Sequence, residues 1–177
     1  MKKYEFTGEV KSWFGRTLHQ IRACVSFGCV NAGEVGGWIE KEENLDHSGN
    51  AWVSGNARVS GNARVSGNAW VYGNAWVSGN ARVSGNARVS GNAWVSGNAR
   101  VYGDAHYLAI GPIGSRNATT TFFRTKEKKI YVSCGCFSGD IDEFTAKVKL
   151  THGDNEHAKA YLLAIELAKL RIDLSGE

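Results

Sequence analysis

A six-residue unit repeats through the middle of the chain and restricts the folds open to it. In register the unit is Val-Ser-Gly-Asn-Ala-x, and ten consecutive units fit between Ser48 and Tyr107. The Ala-x-Val-Ser part predicts a short strand in which Ala and Val face inward while x and Ser face outward. The Gly-Asn part predicts a turn. A strand of about four residues and a two-residue corner, repeated in this way, predict a coiled solenoid.

In each unit a small residue follows an aliphatic residue four positions later in the sequence, and this pattern resembles that of the hexapeptide-repeat family. Val53 is followed by Ala57, and Val59 by Ala63, in each case four positions later. The resemblance implies a left-handed parallel β-helix of triangular cross-section, with three hexads in each coil. The lead-in GGWIE, followed by NL and then the repeats, is similar to that of phage-borne and bacterial hexapeptide proteins classed as transferases.

Two degenerate hexads extend the repeat toward the N-terminus. Ile39 and Leu45 stand where a regular unit has alanine, which gives a solenoid of about four coils. A β-helix exposes strand edges at both ends, and these edges must be covered. We therefore predict a mainly β protein with three parts: an N-terminal β cap (1–35), the left-handed β-helix (36–107) and a C-terminal α+β domain (108–177).

The two end regions have local patterns of their own. Aromatic and β-branched residues predict four strands outside the repeats: Tyr4–Lys11, Thr17–Phe27, Ala118–Arg124 and Lys128–Phe137. The last two form a β-hairpin. Ser138 or Asp140 then caps a first helix, and a second helix follows over about residues 155–172.

The variable position x forms a second pattern once the chain is coiled, because three hexads per coil place residues eighteen positions apart on one face. An aromatic stripe then runs around one corner of the solenoid and comprises Trp52, Trp70, Tyr72, Trp76 and Trp94. Its area of about 600–1,000 Å² exceeds the roughly 300–600 Å² of an ordinary surface patch. We predict that a homo-oligomer covers it, as a trimer in preference to a dimer; a different protein partner, or stacking that only stiffens the solenoid, are the alternatives.

A neighbouring face carries a ladder of arginines at Arg64, Arg82 and Arg100. Adjacent guanidinium groups about 5 Å apart repel by roughly 1 kcal/mol even in water. This basic face is either solvated or binds an acidic protein or a nucleic acid. The asparagines of successive units predict a structural ladder at the corners.

A glycine-rich loop after the repeats is a candidate anion site, because such loops can surround a phosphate with backbone N–H groups. Together with Arg124 and a helix start, it would form a nucleotide site comprising Gly111, Gly114, Ser115, Arg116, Arg124, Ser138 and Gly139. A plain connecting loop is the alternative. Cys134 and Cys136 precede the same helix and are interpreted as ordinary buried thiols. No metal, cofactor or catalytic set is predicted.

The bulk composition narrows the function classes. The net charge of +4 is too small by itself to indicate a nucleic-acid protein, and no apolar run is long enough to span a membrane. We expect a cytoplasmic, non-enzymatic binding protein, an accessory factor of a phage or mobile element that antagonises a host defence system by binding a protein or an anionic nucleotide. A hexapeptide acyltransferase with His106 as base and a structural spacer are the alternatives.

Overall fold

The N-terminal segment forms a hairpin that joins the edge of the solenoid. The computed structural model describes residues 2–176. In it, β1 (Tyr4–Trp13) and β2 (Arg16–Ala23) pair antiparallel, and β3 (Val35–Ile39) pairs antiparallel with β2. The two expected strands are present, although the second ends at Ala23 and not at Phe27. β3 also pairs in parallel with a solenoid strand, so the hairpin continues one face of the coil.

The repeats form a solenoid of about four coils. Each regular unit contributes a two-residue strand made of x and Val; in chain order β4 to β12 are Trp52–Val53, Arg58–Val59, Arg64–Val65, Trp70–Val71, Trp76–Val77, Arg82–Val83, Arg88–Val89, Trp94–Val95 and Arg100–Val101. These strands stack in parallel on three faces: β3-β5-β8-β11, β4-β7-β10 and β6-β9-β12. Partners such as Trp94 and Trp76 are eighteen residues apart, which confirms the predicted stacking.

Valine and alanine fill the interior of the coil as expected. From Ala51 to Val101, every alanine and valine of the repeat is at most 1% exposed. The asparagines form three side-chain ladders at the corners, in which each amide donates to the asparagine of the next coil, as Asn50 does to Asn68 at 3.1 Å. The predicted structural role of the asparagines is confirmed.

The first coil has a register that differs from the expected one. Ile39 pairs with Val59 and Leu45 with Val65, so both residues occupy valine positions. Their assignment to alanine positions was wrong, because the chain contains two extra residues between Leu45 and the first regular strand. The spacing is twenty residues for these pairs and returns to eighteen where Val53 pairs with Val71. Ile39 and Leu45 are nevertheless buried as part of the same core.

The C-terminal region contains four β-strands, two more than predicted. It has four antiparallel strands in the order of the chain: β13 (Tyr107–Ile113), β14 (Ala118–Arg124), β15 (Ile130–Cys134) and β16 (Phe137–Asp140). The predicted β-hairpin corresponds to β14 and β15, the two inner strands of this sheet. Two helices follow, α1 (Ile141–His152) and α2 (Glu156–Arg171). No helix within residues 2–176 is long and apolar enough to cross a membrane.

Strand β14 connects two separate cores. Phe122 packs with Val132 and the two helices, whereas Phe123 belongs to the solenoid core. This alternation follows from the two-residue period of a strand. The sheet therefore lies over the last coil, where Trp94 N donates to Thr121 Oγ1 at 3.0 Å and Ala99 forms a bridge with Thr125. Both ends of the solenoid are covered, as the exposed strand edges require.

Candidate functional site

The predicted aromatic stripe is divided between the core and the surface. Trp52 is 0% exposed, because Tyr4 and Phe27 of the N-terminal segment pack against its ring with centroids 6.5 and 5.4 Å away. The prediction that Trp52 faces another subunit was therefore wrong. Tyr72 remains 39% exposed, and its ring meets Trp70 edge-on at 6.2 Å.

The other three tryptophans of the stripe share one local contact. Each indole Nε1 donates to the serine hydroxyl sixteen positions earlier, on the preceding coil: Trp70 to Ser54, Trp76 to Ser60 and Trp94 to Ser78, at 3.0, 3.1 and 3.3 Å. A half-buried indole normally finds such a partner for its N–H. Because the indole N–H of each side chain is already bound, the surface that remains exposed on these three residues is aromatic carbon.

A column of stacked rings forms on the face β3-β5-β8-β11. The Trp76 and Trp94 rings are 4.8 Å apart and nearly parallel, at 10°. Phe14, at the tip of the β1–β2 hairpin, stacks on Trp76 at 5.2 Å and 11°, and Trp13 meets Trp76 edge-on at 6.1 Å. Phe14 is 76% exposed. The column thus combines residues from the repeat with two residues that the sequence patterns did not single out.

The stacked rings border an open cleft of ≈ 690 Å³ between the two end caps. The hairpin tip contributes Trp13 and Phe14, the solenoid face contributes Arg58, Trp76 and Trp94, and the C-terminal sheet contributes Pro112, Thr119 and Ser133. We call this site the aromatic cleft. Within residues 2–176, no acidic side chain lines it.

The positive charge beside the aromatic cleft is poorly compensated. The Arg58 guanidinium lies 3.8 Å from the centroid of the Trp13 ring, and burial lowers the pKa of Arg58. Burial, together with the charge of Arg58, lowers the pKa of Lys11 to about 8. In the part of the chain that the structure describes, Arg58 Nε and Trp13 Nε1 are buried donors without an acceptor. Arg58 itself lines the aromatic cleft, so an anion bound there would stabilise the charge of its guanidinium.

The predicted anion site is not assembled as one group. Gly111 lines the aromatic cleft, but Gly114 is packed so closely on Tyr161 that a Cβ would overlap its hydroxyl. Arg116 and Ser115 are exposed, with Arg116 beside Gly135.

The remaining members of that predicted site lie elsewhere in the sheet. Arg124 is buried at the opposite end of β14, where it donates to the Gly176 carbonyl at 2.8 Å. Ser138 and Gly139 are strand residues in β16 and do not begin the helix. Asp140 caps α1 instead, and its own carboxylate accepts from the N–H groups of Asp142 and Glu143. The helix start is thus occupied by the chain, and its inclusion in an anion site was wrong.

The arginine ladder has the predicted register. Arg64, Arg82 and Arg100 stack in successive coils on the face β6-β9-β12. They border an open groove of ≈ 520 Å³, to which Lys41 and Glu43 also contribute. Arg100 uses its guanidinium within the chain, donating to the carbonyls of Asn80 and Ala99 at 3.0 and 2.9 Å. Whether this basic face binds an acidic partner stays a prediction.

Among the remaining reactive side chains, Cys134 and His106 have local hydrogen-bonding partners. Cys134 is half-buried and its Sγ accepts from Thr120 at 3.2 Å, whereas Cys24, Cys29 and Cys136 are exposed free thiols. The prediction that Cys136 is buried was therefore wrong, because this residue lies in the exposed turn between β15 and β16. His106 lies in a short 3-10 helix (Asp104–His106) and not in a solenoid strand. Its Nδ1 accepts from the Tyr102 N–H at 3.0 Å, and burial lowers its pKa. Within residues 2–176, no group of three or more His, Cys, Asp or Glu residues is placed to hold a metal.

Comparison with known proteins supports the solenoid assignment. Five segments match the family model described as the YdcK beta solenoid repeat: 51–67, 57–73, 63–79, 81–97 and 93–106. No curated protein sequence matches the chain. The matched segments contain the solenoid strands β4 to β12. The chain is therefore a β-solenoid repeat protein, with coils similar to those of the YdcK repeat.

Proposed function

We propose that the protein is a non-enzymatic binding protein and that the aromatic cleft is its recognition surface. The observation that carries the proposal is the Phe14–Trp76–Trp94 column, which ends at an open cleft beside Arg58. Ring faces bind planar ligands by stacking, and a desolvated guanidinium binds anions. The volume of ≈ 690 Å³ falls within the range of small-molecule sites. An anionic nucleotide has both chemical features that this site would recognise.

The biological role that we propose rests on the resemblance to phage-borne hexapeptide-repeat proteins. In this role the protein is an accessory factor of a phage or mobile element and acts in the host cytoplasm. It antagonises a host defence system by sequestering a nucleotide. A protein partner on the same cleft, with an aromatic and an acidic side chain, is the second ligand class, and the binding experiment distinguishes the two.

The proposal is tested by calorimetric titration with adenosine monophosphate, adenosine and inorganic phosphate as probes. We expect the nucleotide to bind more tightly than either of its parts. Trp94→Ala should weaken nucleotide binding by roughly 5- to 150-fold, because a base stacked on an aromatic ring contributes about 1–3 kcal/mol. Arg58→Ala should weaken binding of the nucleotide and the phosphate but leave binding of adenosine nearly unchanged.

Trp70→Ala is the matched control. Trp70 has the same repeat position and the same indole–serine hydrogen bond as Trp94, but it lies on another face and does not line the cleft. Equal losses in the two variants would mean that the effect comes from the solenoid and not from the cleft. Failure of all three probes to bind the wild-type protein would refute the nucleotide proposal.

Capture from a host lysate separates the remaining alternatives. Mass spectrometry of the recovered small molecules and proteins should identify a nucleotide in the wild type and not in Trp94→Ala. A protein recovered with the wild type alone would favour a protein partner, and recovery of neither class would favour the spacer. Turnover of acetyl-CoA that disappears in His106→Ala would contradict a binding-only function and support the acyltransferase.

A further inference from the structure

The groove beside the arginine ladder runs parallel to the solenoid axis. Arg64, Arg82 and Arg100 follow one another along it at the strand spacing, roughly 4.8 Å. The corner asparagines Asn62 and Asn80 also line it, and the amide of each donates to the asparagine of the next coil. Arg64 and Arg82 are exposed. The groove is therefore an open, polar channel with a regular row of cations.

Lysines from outside the regular repeats extend this row at both ends. Lys41 lies one coil before Asn62, and its Nζ donates to the Asn62 Oδ1 at 3.3 Å. At the other end, the turn between β14 and β15 lies over the corner at Asn98, where the N–H of the exposed residue Lys126 donates to the Asn98 carbonyl at 3.0 Å. Lys41 and Lys126 are about four strand spacings apart, so the row is roughly 20 Å long. We define the basic groove by its five cations, Lys41, Arg64, Arg82, Arg100 and Lys126.

The charge of the basic groove is poorly balanced by the chain itself. Within residues 2–176, none of its five cations forms an ion pair. Both carbonyl contacts of Arg100 use Nη1, so its Nε and Nη2 have no partner in the described chain. The acidic neighbours are Glu43, which lines the groove, and Glu127, which is exposed in the turn beside Lys126. The excess of cations would attract an anionic ligand along the whole groove.

We propose that the basic groove binds the phosphate backbone of a single-stranded nucleic acid. A guanidinium group can donate two parallel hydrogen bonds to the oxygens of one phosphate, and a lysine adds a compact positive charge. Contacts to the backbone carry no base information, so binding should not depend on sequence. A row that is one side chain wide fits one backbone, whereas a duplex presents two backbones separated by a groove of about 6 or 12 Å.

The lining of the basic groove favours a nucleic acid over an acidic protein. Protein interfaces are centred on apolar and aromatic side chains that become buried together. Among the described residues that line the groove, Ala63 is the one apolar residue, and it is already 0% exposed. The large apolar side chains that residues 2–176 leave exposed all lie elsewhere. Phosphate contacts require only positive charge and hydrogen-bond donors, which this groove provides.

This inference does not rest on the nucleotide function proposed for the aromatic cleft. Trp76 and Trp94 belong to the face β3-β5-β8-β11, and the arginine ladder belongs to the face β6-β9-β12. Within the described chain, no residue lines both the cleft and the groove. Arg82→Ala should therefore leave the binding of adenosine monophosphate unchanged, and Trp94→Ala should leave backbone binding unchanged.

Fluorescence anisotropy with an abasic oligodeoxynucleotide tests the proposal. This probe has the phosphate backbone but no bases that could stack in the aromatic cleft, and about ten units exceed the roughly 20 Å of the groove. The wild type should bind the probe at low salt. The logarithm of the association constant should fall against the logarithm of the salt concentration with a slope no steeper than about −3.5, which is about 0.7 for each of five cations.

The change Arg82→Ala removes one cation from the middle of the groove. It should weaken binding about fivefold at about 0.1 M salt and make the slope shallower by about 0.7, because one phosphate contact is lost. Arg88→Ala is the matched control and should bind like the wild type. Arg88 has the same repeat position and is also exposed, but it lies on the face β4-β7-β10 and does not line the groove. Thermal unfolding checks that both variants are folded.

Several outcomes would overturn the proposal. If the wild type does not bind the abasic probe at low salt, the groove is not a backbone site. Equal losses in Arg82→Ala and Arg88→Ala would mean that only the net charge of the protein matters. Polyglutamate that displaces the probe as well as unlabelled probe does, at equal charge, would favour an acidic protein. A duplex that competes better than a single strand at equal phosphate concentration would refute the single-stranded assignment.

Discussion

Lys3 places a charged group between the N-terminal segment and the first coil. The residue is 3% exposed, its Nζ donates to the Ala51 carbonyl at 2.9 Å, and its ammonium lies 5.0 Å from the centroid of the Phe27 ring. Burial lowers the pKa of Lys3 to about 8. The folded protein thus holds this proton less tightly than the unfolded chain does.

The lowered pKa of Lys3 predicts a gain in stability at alkaline pH. Between about pH 8 and 10.5 the unfolded chain keeps the proton that the folded chain has released. The unfolded state then binds more protons, so the free energy of unfolding rises with pH in this window; below pH 8 both states are charged and Lys3 contributes no slope. Urea unfolding at pH 7, 8.5 and 9.5 should show a steeper rise in the wild type than in Lys3→Met. Identical slopes would contradict the prediction.

Single residues were predictable where their environment is made by the repeat itself. The inward valines and alanines, the corner asparagines and the stacking of Trp76 beneath Trp94 follow from the six-residue period. The burial of Trp52 does not, because it depends on Phe27 and Tyr4, which belong to a segment without the repeat. The same holds for Trp13 and Phe14, whose position over the solenoid depends on how the hairpin is bent.

At the scale of structural elements, replacing glycine by alanine should destabilise the protein by different amounts at two corners of the coil. Gly79 and Gly91 both have positive φ, at +65° and +64°. A Cβ at Gly91 would meet nothing within 4 Å, but at Gly79 it would lie 2.9 Å from the backbone nitrogen of Gly97 in the next coil.

Gly91→Ala should therefore destabilise the protein by about 1–2 kcal/mol, through the left-handed backbone alone. Gly79→Ala should cost more, because the two coils must also separate. Thermal unfolding of the two variants measures the difference. A midpoint for Gly79→Ala equal to or above that of Gly91→Ala would be inconsistent with coil contact as the cause.

Helices and repeat strands were predictable as elements, and the outer strands of the C-terminal sheet were not. Helices α1 and α2 have regular apolar spacing and capping residues, Asp140 and Asn155, that are visible in the sequence. The second half of β13 contains Gly111 and Pro112, which are typical of a turn, whereas β16 has only four residues. Both become strands because neighbouring strands offer them hydrogen-bonding partners, which local propensity does not reveal.

An irregularity in the N-terminal hairpin precedes the tip that lines the aromatic cleft. The pairing of β1 with β2 shifts register between Phe6 and Val10, around Gly8 with a φ of +95°. Such irregularities bend a strand and increase its twist. The hairpin tip then brings Phe14 onto Trp76. A glycine within a strand was the available signal, but it does not specify the direction of the bend.

At the scale of the whole molecule, two hydrophobic cores meet at strand β14. Substitutions at two adjacent residues of this strand should therefore loosen different parts of the protein. Phe122 and Phe123 are both 0% exposed, but they point into different cores. Each change to alanine should cost about 3–5 kcal/mol. Phe123→Ala should speed amide hydrogen exchange mainly in the last coil, over β10 to β12, and Phe122→Ala mainly in α1 and α2. Equal acceleration of both regions in both variants would indicate a single cooperative unit.

The eighteen-residue coil has a consequence for how such a protein can change in length. An insertion or deletion of eighteen residues returns the chain to the same face, so both end caps keep their orientation, whereas a change of six rotates one cap to a neighbouring face. Each added coil would separate the hairpin tip from the C-terminal sheet by one strand spacing, roughly 4.8 Å. Duplication of a coil would thus lengthen the cleft by a fixed increment and leave the hairpin tip and the C-terminal sheet that border it unchanged. Selection for the length of a ligand could then act on the number of coils alone.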